Sequence, residues 1–163
     1  MPSRRGPITR HIRAIVVLPG TVTLVIPGGL VWGYGVNFGW WSAIGALVLA
    51  AGLALFAWTV ALFVQIGRGT LAPWDATQHL VVEGPYGHVR NPMITAVLTI
   101  LIGEALTLGS AAIAISAAIF FALNAIYFPL GEEPALRRRF GSEYERYSEN
   151  VPRWVPRLRP WNP

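Results

Sequence analysis

Four long apolar stretches dominate this chain, at about residues 14–31, 40–66, 92–108 and 111–130. A helix needs roughly 20 mostly apolar residues to span a bilayer, so the third stretch is marginal and the others are long enough. Only 13% of the 163 residues are charged, against about 25% in a typical soluble domain. We therefore predict an all-α, multi-pass membrane protein with about four transmembrane helices, forming a single membrane domain over residues 1–163.

The arginines indicate an orientation. All 13 basic residues are Arg, and they precede the first stretch, follow the fourth, or lie in residues 67–92, hereafter the connector. The two other connecting segments carry no charge. The positive-inside rule then predicts that both termini and the connector lie on the cytoplasmic face. In a membrane protein the net charge of +5 reflects topology, so nucleic acid is not an expected partner.

The composition changes after the fourth stretch. Residues 132–150 are rich in charge, with Leu136, Phe140, Tyr144 and Tyr147 at helical spacing. This pattern predicts an amphipathic helix on the cytoplasmic face within residues 132–163, followed by an extended, proline-rich tail. The chain has no Cys, which excludes disulfides and thiol nucleophiles, and no metal site is predicted.

A polar, turn-rich island, QHLVVEGPYGHVRNPMI, occupies residues 78–94. If the third and fourth stretches form a hairpin, Arg90-Asn91 lies close to Glu132-Glu133. A site with a cation and carboxylates suits a zwitterion, such as the amino-acid end of S-adenosylmethionine. The same residues are also compatible with interfacial anchoring, helix capping and a favourable interaction with a helix N-terminus.

Two sequence blocks, LVVEGPYGHVRNPM and GEEPALRRRFGSEYERYSENVPRWVP, carry a resemblance. Together they resemble the isoprenylcysteine carboxyl methyltransferase family, which belongs with the phospholipid methyltransferases, over about residues 67–157. The matching positions are Leu80, Val81, Gly84, Tyr86, Arg90, Asn91, Pro92, Glu132, Glu133, Leu136, Phe140, Gly141, Tyr144, Tyr147, Val151 and Pro152.

The resemblance implies methyl transfer from S-adenosylmethionine, with S-adenosylhomocysteine as product, to a lipid-like acceptor reaching the site from the lipid bilayer. It implies catalytic roles for Arg90 and Glu133. The cofactor-binding residues that it implies are Gln78, His79, Leu80, Val81, Tyr86, Asn91, Pro92, Met93, Ile94 and Glu132. Oligomeric state is not predicted.

Two departures from the family pattern leave the acceptor open. Ile94 replaces a frequent Tyr, and Phe128 stands where isoprenylcysteine-specific enzymes have a substrate-binding Arg. The alternatives are an isoprenylcysteine-like acceptor, N-methylation of a phospholipid or small lipid, or a non-catalytic membrane module that binds a ligand or assists assembly. An amine or hydroxyl acceptor needs a base, for which His79, His88 and Glu83 are the candidates.

Overall fold

A computed structural model describes residues 16–67 and 78–163, and these ranges contain helices and turns without a β-strand. The α-helices in chain order are α1 (Ile26–Tyr34), α2 (Trp41–Leu62), α3 (Pro92–Leu108), α4 (Ala111–Tyr127), α5 (Glu133–Phe140) and α6 (Ser142–Asn150). Three π-helical segments extend them: Val16–Val25 before α1, Phe63–Gly67 after α2, and Phe128–Glu132 between α4 and α5.

The all-helical prediction is confirmed for the described residues. Two helical stretches, Trp41–Gly67 and Ala111–Phe140, are long and apolar enough to cross a membrane, and Pro92–Leu108 is a shorter apolar helix. Four spans and a cytoplasmic connector stay predictions. The N-terminal arginines on which the orientation partly rests lie outside the described residues.

Helices α2 and α3 approach closely because glycines line their contact. A Cβ on Gly52 would lie only 2.8 Å from the backbone nitrogen of Ile100, and a Cβ on Gly45 would collide with the backbone of Thr107. Gly103 of α3 leaves room for the backbone of α2 in the same way. Small residues of this kind let two apolar helices pack backbone to backbone without help from the hydrophobic effect of water.

The predicted hairpin of the third and fourth stretches is present. Gly109 has φ 59°, which ends α3 in the left-handed conformation, and the Ser110 hydroxyl accepts a hydrogen bond from the backbone N–H of Ile113 at 3.4 Å. Leu101 and Ile113 are fully buried in the core that the two helices share. The hairpin therefore places Pro92 and the end of α4 at the same end of the fold.

The predicted amphipathic helix after the fourth stretch is divided in two. Gly141 has φ 53°, a conformation that L-residues rarely adopt, and it separates α5 from α6. Tyr144 and Tyr147 of α6 are buried, in a cluster that includes Leu80 and Val82 of the connector. The apolar face of α6 thus packs on the connector. Beyond it, residues 151–163 form no helix, in agreement with the predicted tail, and residues 151–161 are hereafter the strap.

Candidate active site at the connector

The connector reaches α3 through a tight turn that favours glycine. Gly84 has φ 58° and begins the 3-10 turn Gly84–Gly87. A Cβ at this position would lie 3.1 Å from Leu62 and 3.2 Å from Trp58, both on α2. The turn therefore presses against the end of α2, and it fixes where the following residues enter α3.

The strap lies along the connector and bonds to its backbone. The bonds are Arg90 N–H to Pro152 O at 2.9 Å, Arg157 N–H to His88 O at 3.0 Å, and Trp161 N–H to Gly87 O at 2.9 Å. The His88 side chain adds a contact of 2.7 Å from Nδ1 to the carbonyl oxygen of Arg157. Because a carbonyl only accepts, Nδ1 carries the proton, and Nε2 of the neutral ring is the accepting nitrogen.

A buried ion-pair network joins the connector, α5 and the strap. Glu133 accepts hydrogen bonds from Arg153, from Nε to Oε1 at 2.6 Å and from Nη2 to Oε2 at 2.9 Å. Arg90 Nη1 lies 3.2 Å from the same Oε1. The structure thus brings Arg90 and Glu133 together, as the hairpin argument predicted. One carboxylate faces two guanidinium groups, which leaves the cluster with a net positive charge.

Three side-chain polar atoms of connector residues are buried without a hydrogen-bond partner among the described residues: Tyr86 Oη, Arg90 Nε and Asn91 Nδ2. Burial raises the pKa of Tyr86 well above its ordinary value, so the phenol keeps its proton. Buried donors without partners are uncommon, because each loses its hydration without compensation. Together with the excess positive charge, these donors would suit a ligand that presents acceptor or anionic oxygens.

Four predicted cofactor-binding residues lie at the base of α3 and the start of α5. Pro92 is fully buried, whereas Met93 and Ile94 are half-buried in the first turn of α3. Glu132 is half-buried, and its Oε2 lies 3.5 Å from the Tyr127 hydroxyl. Glu132 forms no ion pair with a described residue, unlike Glu133.

The remaining predicted residues precede the turn. Gln78 and His79 are exposed, and their backbone N–H groups both donate to Gly67 O, at 2.7 and 3.4 Å. Val81 is buried, and Leu80 packs against the cluster formed by Tyr144, Tyr147 and Val151. Leu80 therefore has a packing role as well as its predicted cofactor role.

Arg153 was missed by the sequence reasoning. Its guanidinium group donates to both oxygens of Glu133, which is the best-formed side-chain contact at the site. The neighbouring Val151 and Pro152 belong to the second sequence block, but a single Arg in a basic tail gives no signal of its own.

The phospholipid methyltransferase family matches residues 40–143, which include α2, the connector, α3, α4 and the Glu132-Glu133 pair. The chain belongs to this family. Searches of curated proteins and of solved structures find no significant match. The resemblance noted in the sequence is confirmed at the level of the group to which both methyltransferase families belong. Family membership implies methyltransferase activity on lipid-like substrates, and the two long apolar helices agree with a membrane association.

Proposed function

We propose that this phospholipid methyltransferase family member transfers a methyl group from S-adenosylmethionine to a lipid-like acceptor that enters from the bilayer. The observation that carries the proposal is the excess positive charge at Arg90, Glu133 and Arg153, together with the buried donors of Arg90 and Asn91 that have no partner among the described residues. These groups suit a carboxylate, and Glu132, which forms no ion pair with a described residue, suits an ammonium group. The residues present therefore fit the amino-acid end of the cofactor.

The cofactor supplies the reactive methyl group, and the protein supplies binding and orientation. Tyr86 and Asn91 are proposed to donate hydrogen bonds to it, and Glu132 to hold its ammonium group. Arg90 is proposed to direct its charge and its Nε donor to the cofactor carboxylate, and Glu133 to position the Arg90 guanidinium group through their ion pair. Met93 and Ile94 in the first turn of α3 are proposed to exclude water from the bound cofactor, which would strengthen these polar contacts.

A phospholipid or small-lipid amine is the acceptor that we favour over an isoprenylcysteine. The ring of Phe128 packs against that of Trp154 at 5.8 Å, so an aromatic surface stands where isoprenylcysteine-specific enzymes have a basic residue. An amine must lose a proton during transfer. Among the three candidate bases, His88 has its tautomer set by the strap, with Nε2 left to accept a proton.

Calorimetry with S-adenosylhomocysteine in detergent tests the cofactor site. We expect wild-type protein to bind, and Asn91→Ala and Glu132→Ala to weaken binding by roughly 5- to 150-fold, corresponding to about 1–3 kcal/mol for a lost contact with a charged group. Glu149→Ala, on the exposed face of α6, is the matched control and should bind like wild type.

Radiolabelled methyl transfer into total membrane lipids then tests the reaction. A labelled aminolipid would support the favoured acceptor, and a labelled isoprenylcysteine would overturn that choice. A folded protein that binds no S-adenosylhomocysteine would overturn the enzyme proposal. Binding without transfer to any lipid would favour the non-catalytic module.

A further inference from the structure

The depth of the α3–α4 hairpin in the membrane follows from its length. Each helix has 17 residues, which at about 1.5 Å per residue gives roughly 25 Å. The hydrocarbon layer is about 30 Å thick. If α4 crosses this layer, its end at Tyr127 therefore lies close to the edge of the hydrocarbon, and residues further back along α4 lie within it.

The strap contacts α4 well inside that edge. The ring of Trp154 packs against Phe121 at 5.3 Å and against Phe128 at 5.8 Å. Phe121 precedes Tyr127 by six residues, or about 9 Å along the helix. If α4 crosses the membrane, Trp154 therefore lies further into the bilayer than Tyr127, just inside the edge of the hydrocarbon layer.

The residues after Trp154 present apolar side chains that nothing in the described structure covers. Val155 is 76% exposed and Leu158 is 99% exposed. The backbone of this segment is held in place, because Arg157 N–H donates to His88 O and Arg157 Nη1 donates to Asn150 O at 2.7 Å. Fixed and exposed apolar side chains are unfavourable in water, so their position indicates a partner.

We propose that residues 154–158 of the strap form a wedge that inserts into the leaflet at the Tyr127 end of α4. Val155 and Leu158 would then lie among the outer parts of the acyl chains. Arg159 directly follows Leu158 and is exposed, so its long side chain would reach lipid phosphates. The partner is the lipid leaflet itself, with anionic headgroups favoured by Arg159. The proposal does not depend on methyl transfer.

The absence of Cys makes a direct test possible. A Leu158→Cys variant carries one label site, and an environment-sensitive fluorophore there can be read in nanodiscs that contain nitroxide lipids. We expect a blue-shifted emission, with the strongest quenching by nitroxides about 5–10 Å below the headgroups. Glu149→Cys, on the exposed face of α6, is the control and should show emission typical of water. Val155→Cys gives a second label site if Leu158→Cys does not fold.

Two results would count against the wedge, and a third would count against its preference for anionic headgroups. Emission at positions 158 and 155 equal to that at position 149 would place the strap in water. Disulfide cross-linking between copies without lipid quenching would show that a second copy of the chain covers the apolar residues. Equal quenching in phosphatidylcholine discs and in discs that also contain phosphatidylglycerol would overturn the preference for anionic headgroups, whereas stronger quenching in the latter would support it.

Discussion

Glu132 and Glu133 are neighbours in sequence, and the structure predicts that they respond differently to the same substitution. Glu133 is 6% exposed and accepts hydrogen bonds from Arg153 while pairing with Arg90. Glu132 is half-buried, its Oε2 lies 3.5 Å from the Tyr127 hydroxyl, and it forms no ion pair with a described residue. Gln has nearly the shape of Glu and removes the charge, so Glu133→Gln and Glu132→Gln form a matched pair.

The expected loss of stability in Glu133→Gln follows from the burial of the Glu133 carboxylate. Removing one charge of a fully buried pair costs about 3–5 kcal/mol, because the other charge is left uncompensated. The Arg153 side chain is 32% exposed, so water recovers part of this cost, and we expect about 2–3 kcal/mol. For a protein of this size, that corresponds to a fall in melting temperature of roughly 4–12 °C. Glu132→Gln should change stability by less than about 0.5 kcal/mol.

The two variants are compared by thermal unfolding in detergent, followed by circular dichroism, and by calorimetry with S-adenosylhomocysteine. We expect Glu133→Gln to lower the melting temperature, and Glu132→Gln to weaken ligand binding at a wild-type melting temperature. A wild-type melting temperature for Glu133→Gln would refute the reasoning about the ion-pair network. Equal loss of stability in both variants would refute the distinction between the two carboxylates.

Three further predictions concern the scaffold, each read from melting temperatures in detergent. Gly52→Ala should lower the free energy of unfolding by about 1–3 kcal/mol, because the new Cβ would lie 2.8 Å from the backbone of Ile100. Gly28→Ala is the control, because its new Cβ would meet nothing within 4 Å and should not destabilise the protein. Tyr147→Phe should cost about 0.5–1.5 kcal/mol, because its buried hydroxyl donates to a connector carbonyl at 2.8 Å; an unchanged melting temperature would argue against that bond. Gly141→Ala should cost about 1–3 kcal/mol from backbone strain alone, because Gly141 has φ 53° and ψ −130° and an added Cβ would meet nothing within 4 Å; a stabilised variant would contradict that conformation.

The apolar pattern predicted the helices well because membrane helices depend on length and hydropathy, both of which are local properties. The turn at Gly109-Ser110 was predictable for the same reason, since it joins two apolar stretches without intervening charge. The break at Gly141 was not predicted. Helical spacing of Leu136, Phe140 and Tyr144 continues through it, and periodicity alone does not reveal that one residue adopts a positive φ.

The approach of Arg90 to Glu133 was predicted from topology, because a hairpin of two equal helices returns the chain to the level at which it started. The partner with the shortest contacts to Glu133, which is Arg153, was not predicted. Arg153 follows Glu133 by 20 residues and reaches it only because α5 and α6 fold back at Gly141. Sequence spacing does not show that the chain folds back at Gly141. Arg153 therefore cannot be distinguished from the other arginines of the tail before the fold is known.

The strap begins within the second sequence block, and it supplies hydrogen-bond partners that the connector needs in order to form a site. Residues 87–90 form no regular sheet or long helix, so their backbone groups need partners from elsewhere. The strap supplies them, by accepting from Arg90 N–H and donating to Gly87 O and His88 O. The same segment contributes Arg153 to Glu133. A strap released from α4 would therefore loosen the backbone that carries Asn91 and also leave Glu133 with fewer partners. Lipid contacts at residues 154–158 and ligand contacts at Asn91 would then be linked through a single segment of chain.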